Sequence, residues 1–320
     1  MSLSPSPRSS APMIAASKSM RDIQAWLPRV AAATAPVVIQ GESGSGKGRI
    51  AEALHELGPR RDRPYEVLSC GAIAESLADS EFFGHARGAF THAFEAKRGR
   101  LERASGGTLV LDHIEDLAPS VQAKLLRAIE DGKVQRLGES IERPVDVRYI
   151  ATCRGPLKEA IALGTFRDDL YHRLSVITIP LPPLRDRVED ILPLAVAFLS
   201  SERRRQRTRA SGFSDAASSM LRAFSWPGNV RQVHSVVERA ILLHEGDGPI
   251  EAASLPKELL TSATMLRGID VMAPPTLKEL ERVYILWVLE SSKGTKTDAA
   301  KILGISRKSL WEKCKRFGIA

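Results

Sequence analysis

The sequence has few cysteines, and their spacing does not suit a covalent or metal-bound framework. Its 320 residues include only Cys70, Cys153 and Cys314, and no Cys-x-x-Cys pair occurs. An odd number of widely separated cysteines indicates neither a disulfide scaffold nor a zinc site. We therefore expect three small buried side chains in a reducing compartment.

Long apolar runs are also missing. No stretch of the sequence approaches the ~18 consecutive apolar residues that a membrane-spanning helix requires. Residues 1–12 contain Ser and Pro but no apolar signal core, which argues against export. We predict a disordered lead over residues 1–12, a cytoplasmic location and no membrane partner. The sequence shows no internal repeats.

Basic residues exceed acidic residues. The chain has 46 Lys and Arg against 38 Asp and Glu, a net charge of +8, and residues 277–320 alone contain ten Lys and Arg against five Asp and Glu. A basic balance favours an anionic partner such as nucleic acid. The composition is otherwise that of a globular protein, with 43% hydrophobic residues. The length predicts two or three domains.

Short apolar runs alternate with helical patterns over the first 180 residues. The predicted helices span 13–33, 47–57 and 121–130, and the predicted strands are Val37–Ile39, Thr108–Leu111, Val145–Ala151 and Val176–Ile179. This alternation predicts an α/β fold with a parallel sheet covered on both faces. From Asp190 to His244 the pattern is entirely helical, which predicts a small helical subdomain. The run Arg203–Arg209 inside it is typical of a solvated face or loop.

A glycine-rich turn follows the first predicted strand and opens a helix. It consists of Gly41, Glu42, Ser43, Gly44, Ser45, Gly46 and Lys47, with Gly48 next. Glycines let the backbone N–H groups cradle phosphate oxygens, and the helix N-terminus adds a favourable dipole. The lysine neutralises the β- and γ-phosphates, so the segment fits a P-loop. The general pattern has Ser or Thr after the lysine to hold Mg²⁺, and Gly48 departs from it.

A second motif of a nucleotide site lies at residues 106–112. Its apolar strand ends at Asp112, which reaches the C-terminal edge of the sheet. Mg²⁺ prefers hard oxygen ligands and keeps several waters, so one carboxylate is enough. The two motifs together predict a site for ATP and Mg²⁺, with Asp112 as the metal ligand.

Residues from about 13 to 243 resemble the central AAA+ domain of sigma-54-dependent transcription activators. The P-loop is similar to the P-loop of this family, which has no Ser or Thr after the lysine. The segments 166–174, 181–187 and 226–231 match further family signatures in the family's order. A surface loop that resembles the family's GAFTGA loop implies a contact with sigma-54, and its residues are Gly88, Ala89, Phe90, Thr91, His92 and Ala93.

The resemblance also implies roles for arginines outside the P-loop. Arg167 and Arg173 match the family's two arginine fingers, and Arg231 matches its sensor II arginine. Arginine is permanently charged and planar, so it suits a finger that reaches the phosphates of a neighbouring subunit. Fingers of this kind imply a ring, which is commonly a hexamer in this family.

Three departures from the family bear on its chemistry. The family ends its second motif with Asp-Glu, whereas this chain has Asp112 and His113, and imidazole lacks the fixed charge that polarises the attacking water. The family's Thr-Asn sensor I is Thr152 and Cys153 here, and a thiol is a poor hydrogen-bond donor. His92 replaces a loop glycine, although a residue with a Cβ cannot adopt every glycine conformation. We expect ATP and Mg²⁺ binding to survive and hydrolysis to fall.

These departures leave alternatives open. The chain is either a slow ATPase that remodels sigma-54 RNA polymerase, or a degenerate member that binds ATP and DNA and acts as a co-regulator with an active paralogue. The product of a pseudogene is a third alternative. A DNA-free AAA+ remodeller such as a chaperone is disfavoured by the C-terminal segment.

The C-terminal segment resembles the Fis-type helix-turn-helix domain of the same activators. The helix from Leu277 carries an apolar stripe, and in this family such a helix pairs two subunits; the stripe consists of Leu280, Val283, Tyr284, Trp287 and Val288. Residues 296–303 form a short predicted helix, Gly304 makes the turn, and Ser306 is the expected N-cap of the next helix.

The helix after Ser306 is the predicted recognition helix. Its apolar positions Leu310, Cys314 and Phe317 share one face towards the core. The residues left for phosphates and base edges are Ser306, Arg307, Lys308, Ser309, Trp311, Lys313, Lys315 and Arg316.

The predicted organisation has four parts after the lead. An AAA+ α/β subdomain spans 13–180, a helical lid 181–245, a linker 246–275 and the helix-turn-helix domain 276–320. The expected partners are upstream activator DNA, sigma-54 RNA polymerase, and either further copies of the chain or a paralogue. We expect a hexameric ring with dimeric DNA-binding ends. Few residues precede the AAA+ part, so no receiver or ligand-sensing domain is expected.

Overall fold

The computed structural model describes residues 13–206, 209–244, 246–259, 276–291 and 296–319. These residues fall into two compact units. The first unit contains the residues up to Leu194 together with Trp226–Val233, and the second contains Ala195–Ser225 and the residues from His234 onward. The lead predicted over residues 1–12 lies outside the described residues.

A five-stranded parallel sheet forms the centre of the first unit. Its strands are β1 (Val37–Gln40), β2 (Tyr65–Ser69), β5 (Thr108–Asp112), β8 (Arg148–Cys153) and β9 (Ile177–Pro180). They are arranged in the order β2-β5-β8-β1-β9, with every neighbouring pair parallel. The predicted α/β fold with a parallel sheet is confirmed.

Helices cover both faces of this sheet. They are α1 (Lys18–Ala32), α2 (Lys47–Glu56), α3 (Glu75–Phe83), α4 (Arg100–Arg103), α5 (Pro119–Asp131), α6 (Leu157–Ala162) and α7 (Asp168–Leu174). Val37 and Ile39 belong to one apolar core with residues of α1 and α2, whereas Val38 belongs to a second core with residues of α3, α5 and α7. Successive side chains of a strand point to opposite faces, so one sheet supports two cores.

Two short antiparallel pairs accompany the main sheet. One pair is β3 (Gly84–His85) with β4 (Lys97–Arg98), and the other is β6 (Lys133–Gln135) with β7 (Glu142–Pro144). His85 also forms a parallel bridge with Leu137, which joins the two pairs. The first pair flanks the loop that the sequence assigns to sigma-54 contact.

The sheet differs from the sequence prediction in two places. Strand β2 is missing from the prediction because its apolar run is only two residues long, Val67 and Leu68, and Val67 is half exposed. The strand predicted at residues 145–151 begins at Arg148 instead. The buried guanidinium of Arg148 donates to the carbonyl oxygens of Val30 (2.7 Å) and Ala31 (2.7 Å). An arginine therefore occupies a strand position at which the sequence pattern suggests an apolar residue.

The helical segment predicted from 190 to 244 is confirmed. It contains α8 (Ile191–Gln206), α9 (Asp215–Ala223) and α10 (Asn229–Leu242). The arginines at 203–205 are exposed in the last turn of α8, as expected for a solvated face. The predicted linker is wrong over residues 246–259, because Ile250 and Leu255 are buried and Ile250 bridges to Phe213. Residues 260–275 lie outside the described residues.

The described residues from 276 onward form three helices: α11 (Leu277–Ser291), α12 (Lys296–Ile302) and α13 (Arg307–Phe317). Leu310 and Cys314 of α13 are buried in a small core with Ile285 and Val288, as the spacing predicts. Of the stripe predicted on α11, Val288 is buried in this core and Tyr284 is 46% exposed, so the pairing of two subunits through this helix stays a prediction. The side chains of Leu280, Val283 and Trp287 lie outside the described part of the structure. Within the described ranges, no helix has both the length and the apolar character needed to cross a membrane.

A buried carboxylate fixes the start of α1. Oδ1 of Asp190 accepts hydrogen bonds from the backbone N–H groups of Ala16 (2.6 Å) and Ser17 (2.7 Å), and Oδ2 accepts one from the Ser17 hydroxyl (2.7 Å). Arg187 is also buried, lies 4.0 Å from Oδ2 of Asp190 and donates to the carbonyl oxygen of Ser45 (2.5 Å). Asp190 thus links the first helix to the turn that follows β1.

We expect Asp190→Ala to lower the free energy of unfolding by about 3–5 kcal/mol, because it leaves a buried cation and three donors without their acceptor. Urea unfolding followed by circular dichroism measures this change. Glu189→Ala is the matched control, since Glu189 is exposed in the short 3-10 helix Val188–Asp190 that also contains Asp190; its effect should stay within about 0.5 kcal/mol. Equal effects of the two substitutions would contradict the role given to Asp190.

Candidate functional site

The P-loop, residues 41–47, connects β1 to α2. Gly44 and Gly46 adopt left-handed backbone conformations, with φ of 75° and 106°, which favour glycine. A Cβ on Gly44 would also lie 2.4 Å from the carbonyl oxygen of Gly228. The glycine spacing that identifies the motif therefore meets a steric demand of this turn.

Three carbonyl oxygens of the P-loop are held from outside the turn. The pairs are Ser43 with the side-chain amide of Asn229 (3.1 Å), Gly44 with the backbone N–H of Arg231 (3.3 Å), and Ser45 with the guanidinium of Arg187 (2.5 Å). Carbonyl groups bound outward favour N–H groups that face the inner side of the turn, where an anion binds. The turn is therefore arranged as an anion cradle.

Lys47 places a cation beside this cradle. The residue is buried, and its Nζ donates to the carbonyl oxygens of Gly41 (2.6 Å) and Glu42 (3.0 Å). Burial lowers the pKa of the amine, and the charge of Asp112 partly opposes that shift. A cation at this position can supply the counter-charge that phosphates need.

Glu42, which the sequence prediction assigns to nucleotide binding, has its carboxylate bound by other protein groups. Arg185 pairs with both oxygens (2.6 and 2.9 Å), and the amide of Asn229 donates to Oε2 (3.1 Å). The hydrogen bond from Arg185, followed by that from Asn229, holds the pKa of this carboxyl group below its usual value. The side chain of Glu42 therefore anchors the P-loop to the protein.

The structure brings Arg231 to the P-loop and leaves Gly48 open. The guanidinium of Arg231 donates to the hydroxyl of Ser43 (3.1 Å), so the predicted sensor II residue is next to the predicted nucleotide site. Gly48 is exposed, and a Cβ built on it has no atom within 4 Å. A side chain at position 48 is therefore sterically allowed.

Asp112 ends β5 next to the end of β8. The hydroxyl of Thr152 donates to Oδ1 of Asp112 (2.6 Å) and accepts from the backbone N–H of His113 (3.2 Å). Thr152, which belongs to the predicted nucleotide site, is therefore bonded to the predicted metal ligand, and its contact with the nucleotide stays a prediction. The side chain of Asp112 is 34% exposed, which leaves Oδ2 accessible to a divalent cation or its water ligands.

His113 occupies the position of the family's glutamate and has a left-handed backbone, with φ 57° and ψ 58°. Its Nδ1 lies 3.5 Å from Oε1 of Glu115 and accepts a hydrogen bond from Nε of Arg154 (3.3 Å). Arg154 also pairs with Glu115 (3.1 Å) and Asp116. Sequence reasoning missed Arg154, whose only signal is its place directly after the sensor I pair. The imidazole is therefore surrounded by charged groups of this chain.

The thiol of Cys153 is directed into the sheet. Its Sγ lies 3.9 Å from the carbonyl oxygen of Ile39 on β1. Burial raises the pKa of this thiol to about 12, so the group is neutral at pH 7. The loss of a strong hydrogen-bond donor at this position, compared with the asparagine of the family, stays a prediction for its effect on hydrolysis.

The two arginines predicted as fingers lie at the ends of α7. Arg167 immediately precedes the helix and pairs with Asp169 through two hydrogen bonds (3.0 and 2.6 Å). Arg173 is exposed in the last turn. An exposed guanidinium paired with a single carboxylate can exchange that partner for a phosphate, so both side chains are accessible to a neighbouring molecule.

The loop predicted to contact sigma-54 is closed by its own backbone. The N–H of Gly88 donates to the carbonyl oxygen of Ala93 (2.8 Å), and the N–H of Ala93 donates to that of Phe90 (2.9 Å). Gly88 adopts the left-handed conformation of this loop, with φ 79°, whereas His92 has no positive φ. The backbone cost expected for His92 is therefore absent. Phe90 and Thr91 are exposed at the centre of the loop.

The start of α13 matches the prediction for a recognition helix. Ser306 caps the helix by accepting a hydrogen bond from the backbone N–H of Ser309 (3.0 Å), and Gly304 makes the preceding turn with φ 66°. Arg307 and Lys308 are exposed in the first turn. Cationic side chains at the exposed start of a helix suit contacts with DNA.

The second half of α13 divides the predicted DNA contacts into two groups. Trp311 is 56% exposed, and Nζ of Lys315 lies 5.3 Å from the centre of its ring. Lys313 and Arg316 instead pair with Glu281 of α11, the latter at 2.7 Å. Both cations are thus paired with a carboxylate of the same domain, and the DNA contacts predicted for Lys313 and Arg316 stay predictions.

Comparison with known families and proteins gives three matches along the chain. Residues 13–180 match the Sigma-54 interaction domain, residues 185–267 the AAA+ ATPase lid domain, and residues 276–317 the bacterial regulatory proteins of the Fis family. The chain is 44% identical over 306 residues to the transcriptional regulatory protein ZraR of Klebsiella oxytoca, which covers 95% of this chain and 68% of ZraR.

Other relatives and solved structures match over nearly the whole chain. The nitrogen fixation protein AnfA of Azotobacter vinelandii is 39% identical over 308 residues, which covers 96% of this chain and 58% of AnfA. A crystal structure of NtrX from Brucella abortus in complex with ADP matches with a TM-score of 0.75 and 32% identity, over 96% of this chain and 70% of NtrX. The parallel sheet, the P-loop, the lid and the helix-turn-helix follow in the order of these matches. The chain belongs to the sigma-54-dependent transcription activators, with an AAA+ sigma-54 interaction domain and a Fis-type helix-turn-helix.

Proposed function

We propose that this activator binds ATP and Mg²⁺, hydrolyses ATP slowly, and uses that hydrolysis to remodel sigma-54 RNA polymerase from a DNA-bound position. One observation carries the proposal: the P-loop carbonyls of Ser43, Gly44 and Ser45 are held outward by groups of the protein itself. A turn arranged in this way binds phosphate through its N–H groups. Crystal structures of NtrX, 30% and 32% identical to this chain, contain ATP and ADP respectively.

The site also fits a divalent cation beside the phosphates. Asp112 offers Oδ2, while its Oδ1 is bound by Thr152. A single carboxylate with several waters is a usual environment for Mg²⁺. Mg²⁺ there would neutralise part of the triphosphate charge, and Lys47 and Arg231 would neutralise more of it.

Two departures from the family support slow turnover. His113 cannot supply the carboxylate that orients the attacking water, and its Nδ1 is engaged by Arg154. Cys153 directs its thiol to the sheet backbone. The same two observations favour a second candidate function, in which ATP is an assembly ligand and the chain acts as a co-regulator with an active paralogue.

We infer the assembly and the partner contacts from the family. Arg167 and Arg173 are exposed on α7, which supports a finger role towards the nucleotide of a neighbouring subunit, in a ring that we propose to be hexameric. The loop over residues 88–93 would then engage sigma-54. The domain organisation that we propose is an AAA+ α/β subdomain over 13–180, a lid that extends past 245, and a helix-turn-helix domain from 276.

DNA binding is proposed for the exposed part of α13, with upstream activator DNA as the target and paired C-terminal domains as the dimeric unit. Arg307 and Lys308 would contact phosphates from the first turn, and Trp311 and Lys315 extend the same exposed surface. Ser306 and Ser309 are at the capped end of the helix, next to these cations. Phosphate contacts of this kind make affinity depend steeply on salt.

We expect Lys47→Ala to weaken binding of a fluorescent ATP analogue by about 10–100-fold, because a charge-assisted contact with the phosphates is lost. Fluorescence titration measures the dissociation constant. Arg49→Gln is the matched control: Arg49 lies on the same helix but pairs with Glu52 (2.7 Å) and Glu56 (3.4 Å) within it. Unchanged affinity of the Lys47 variant would remove the P-loop assignment.

We expect His113→Glu to raise ATP turnover at least about tenfold, because a correctly placed general base contributes ~10²–10⁴-fold. Phosphate release by the purified protein measures it, with His113→Gln as the control that has neither the imidazole nor a charge. A wild-type rate equal to that of His113→Glu, together with a slow His113→Gln, would mean that His113 itself activates the water. No hydrolysis in either protein would favour the co-regulator function.

We expect Lys308→Ala to weaken binding to a DNA duplex of random sequence and to reduce the slope of log affinity against log salt by ~1. Fluorescence anisotropy at several salt concentrations measures both quantities. Lys313→Ala is the comparison on the same helix, because Lys313 pairs with Glu281; a slope equal to that of the wild type would show that this pair persists on DNA. Equal changes in the two variants would place both lysines on the DNA, whereas a Lys308 variant with unaltered affinity and slope would place Lys308 off the DNA.

A further inference from the structure

We propose that Asn229 is a positioning residue that holds the P-loop in its phosphate-binding conformation, acting through Glu42 and Ser43. The proposal rests on the nucleotide binding proposed above and goes beyond it by assigning a role to a residue of the turn at 226–229. Asn229 is fully buried and is the first residue of α10. Its backbone is left-handed, with φ 52°.

The side chain of Asn229 uses both its acceptor and its donor group. Oδ1 accepts a hydrogen bond from the backbone N–H of Leu184 (2.7 Å). Nδ2 donates to Oε2 of Glu42 (3.1 Å) and to the carbonyl oxygen of Ser43 (3.1 Å). A carboxamide is the short side chain that combines an acceptor with two donor hydrogens. Aspartate has no donor when ionised, and leucine has neither group, so this set of partners selects asparagine.

The bond to Ser43 controls the direction of a neighbouring N–H group. The carbonyl group of Ser43 and the N–H of Gly44 belong to one planar trans peptide, so they point in opposite directions. When Asn229 holds the carbonyl oxygen outward, the N–H of Gly44 faces the inner side of the turn. Rotation of this peptide would remove one donor from the cradle, and the bond from Asn229 opposes that rotation.

The hydrogen bond from Asn229 to Glu42 fixes the residue that precedes Ser43. The Glu42 carboxylate is held on its other side by Arg185 (2.6 and 2.9 Å). Consecutive P-loop residues are therefore fixed by one amide group, one through its side chain and one through its backbone. The left-handed backbone of Asn229 is compatible with this task, because asparagine tolerates that conformation better than most residues.

The turn that carries Asn229 is itself closed. The backbone N–H of Asn229 donates to the carbonyl oxygen of Trp226 (2.8 Å), and Trp226 is fully buried and also left-handed, with φ 50°. Uncommon backbone conformations persist where the surroundings over-determine them. The amide of Asn229 is therefore presented to the P-loop from a fixed position.

The test uses Asn229→Gly, which removes the amide but keeps a residue suited to the left-handed backbone. We expect about tenfold weaker binding of a fluorescent ATP analogue by the folded protein, since a hydrogen bond to a charged group is lost. Circular dichroism confirms folding at the assay temperature. Gln232→Ala is the matched control, because its Oε1 accepts from the backbone N–H of Gly228 (2.9 Å) within the same turn; its affinity should equal that of the wild type.

A rescue experiment separates positioning from general stabilisation. Asn229→Asp places a second carboxylate against Glu42 and the Ser43 carbonyl, so we expect a larger loss of affinity than for Asn229→Gly. Addition of Glu42→Gln restores a donor between the two side chains, and the double variant should bind the analogue more tightly than Asn229→Asp alone. A residue that only stabilises the fold would give a double variant that binds no better.

The outcomes distinguish this proposal from the assignment on which it rests. If Lys47→Ala loses binding while Asn229→Gly binds like the wild type, the P-loop assignment stands and the role of Asn229 is wrong. If the double variant shows no recovery, the coupling through Glu42 is wrong. Binding that survives Lys47→Ala would overturn the P-loop assignment itself.

Discussion

The backbone carbonyl groups of a single turn must point away from the space that a phosphate would occupy, and each buried carbonyl then needs a donor. Asn229, Arg231 and Arg187 supply these donors to the P-loop. Arg187 brings a charge into the interior, so it requires the carboxylate of Asp190. Asp190 in turn takes the N–H groups that begin α1. The P-loop carbonyl groups are thus connected, through Arg187 and Asp190, to the start of α1.

Such an arrangement favours specificity over maximal stability. A buried ion pair such as Arg187 with Asp190 often contributes less than an apolar pair of the same size, but removal of one partner is costly. The left-handed backbones of Trp226 and Asn229 are a further local cost that their contacts offset. Alternative positions of the P-loop would leave charges and donors unsatisfied in the interior, so the P-loop has one favourable conformation.

The sequence predicted the sheet and the P-loop because both depend on local patterns. Apolar runs mark β1 and β5, and glycines at fixed spacing mark a turn that sterically needs them. Contacts between distant residues left no such pattern. Asn229 and Glu42 are 187 positions apart, and Arg187 and Ser45 are 142 apart. Lys313 shows the same limit of sequence analysis, because the sequence of a basic helix does not tell which of its lysines pair with a carboxylate of the same domain.

All three cysteines are buried in the native protein. A thiol reagent reacts only with an accessible thiolate, so each cysteine can be modified only when its surroundings open. Cys70 and Cys153 belong to the first unit, and Cys314 belongs to the small core of the C-terminal helices. The wild-type chain therefore carries intrinsic probes of local unfolding, whose separate labelling rates report how readily the sheet and the C-terminal domain open.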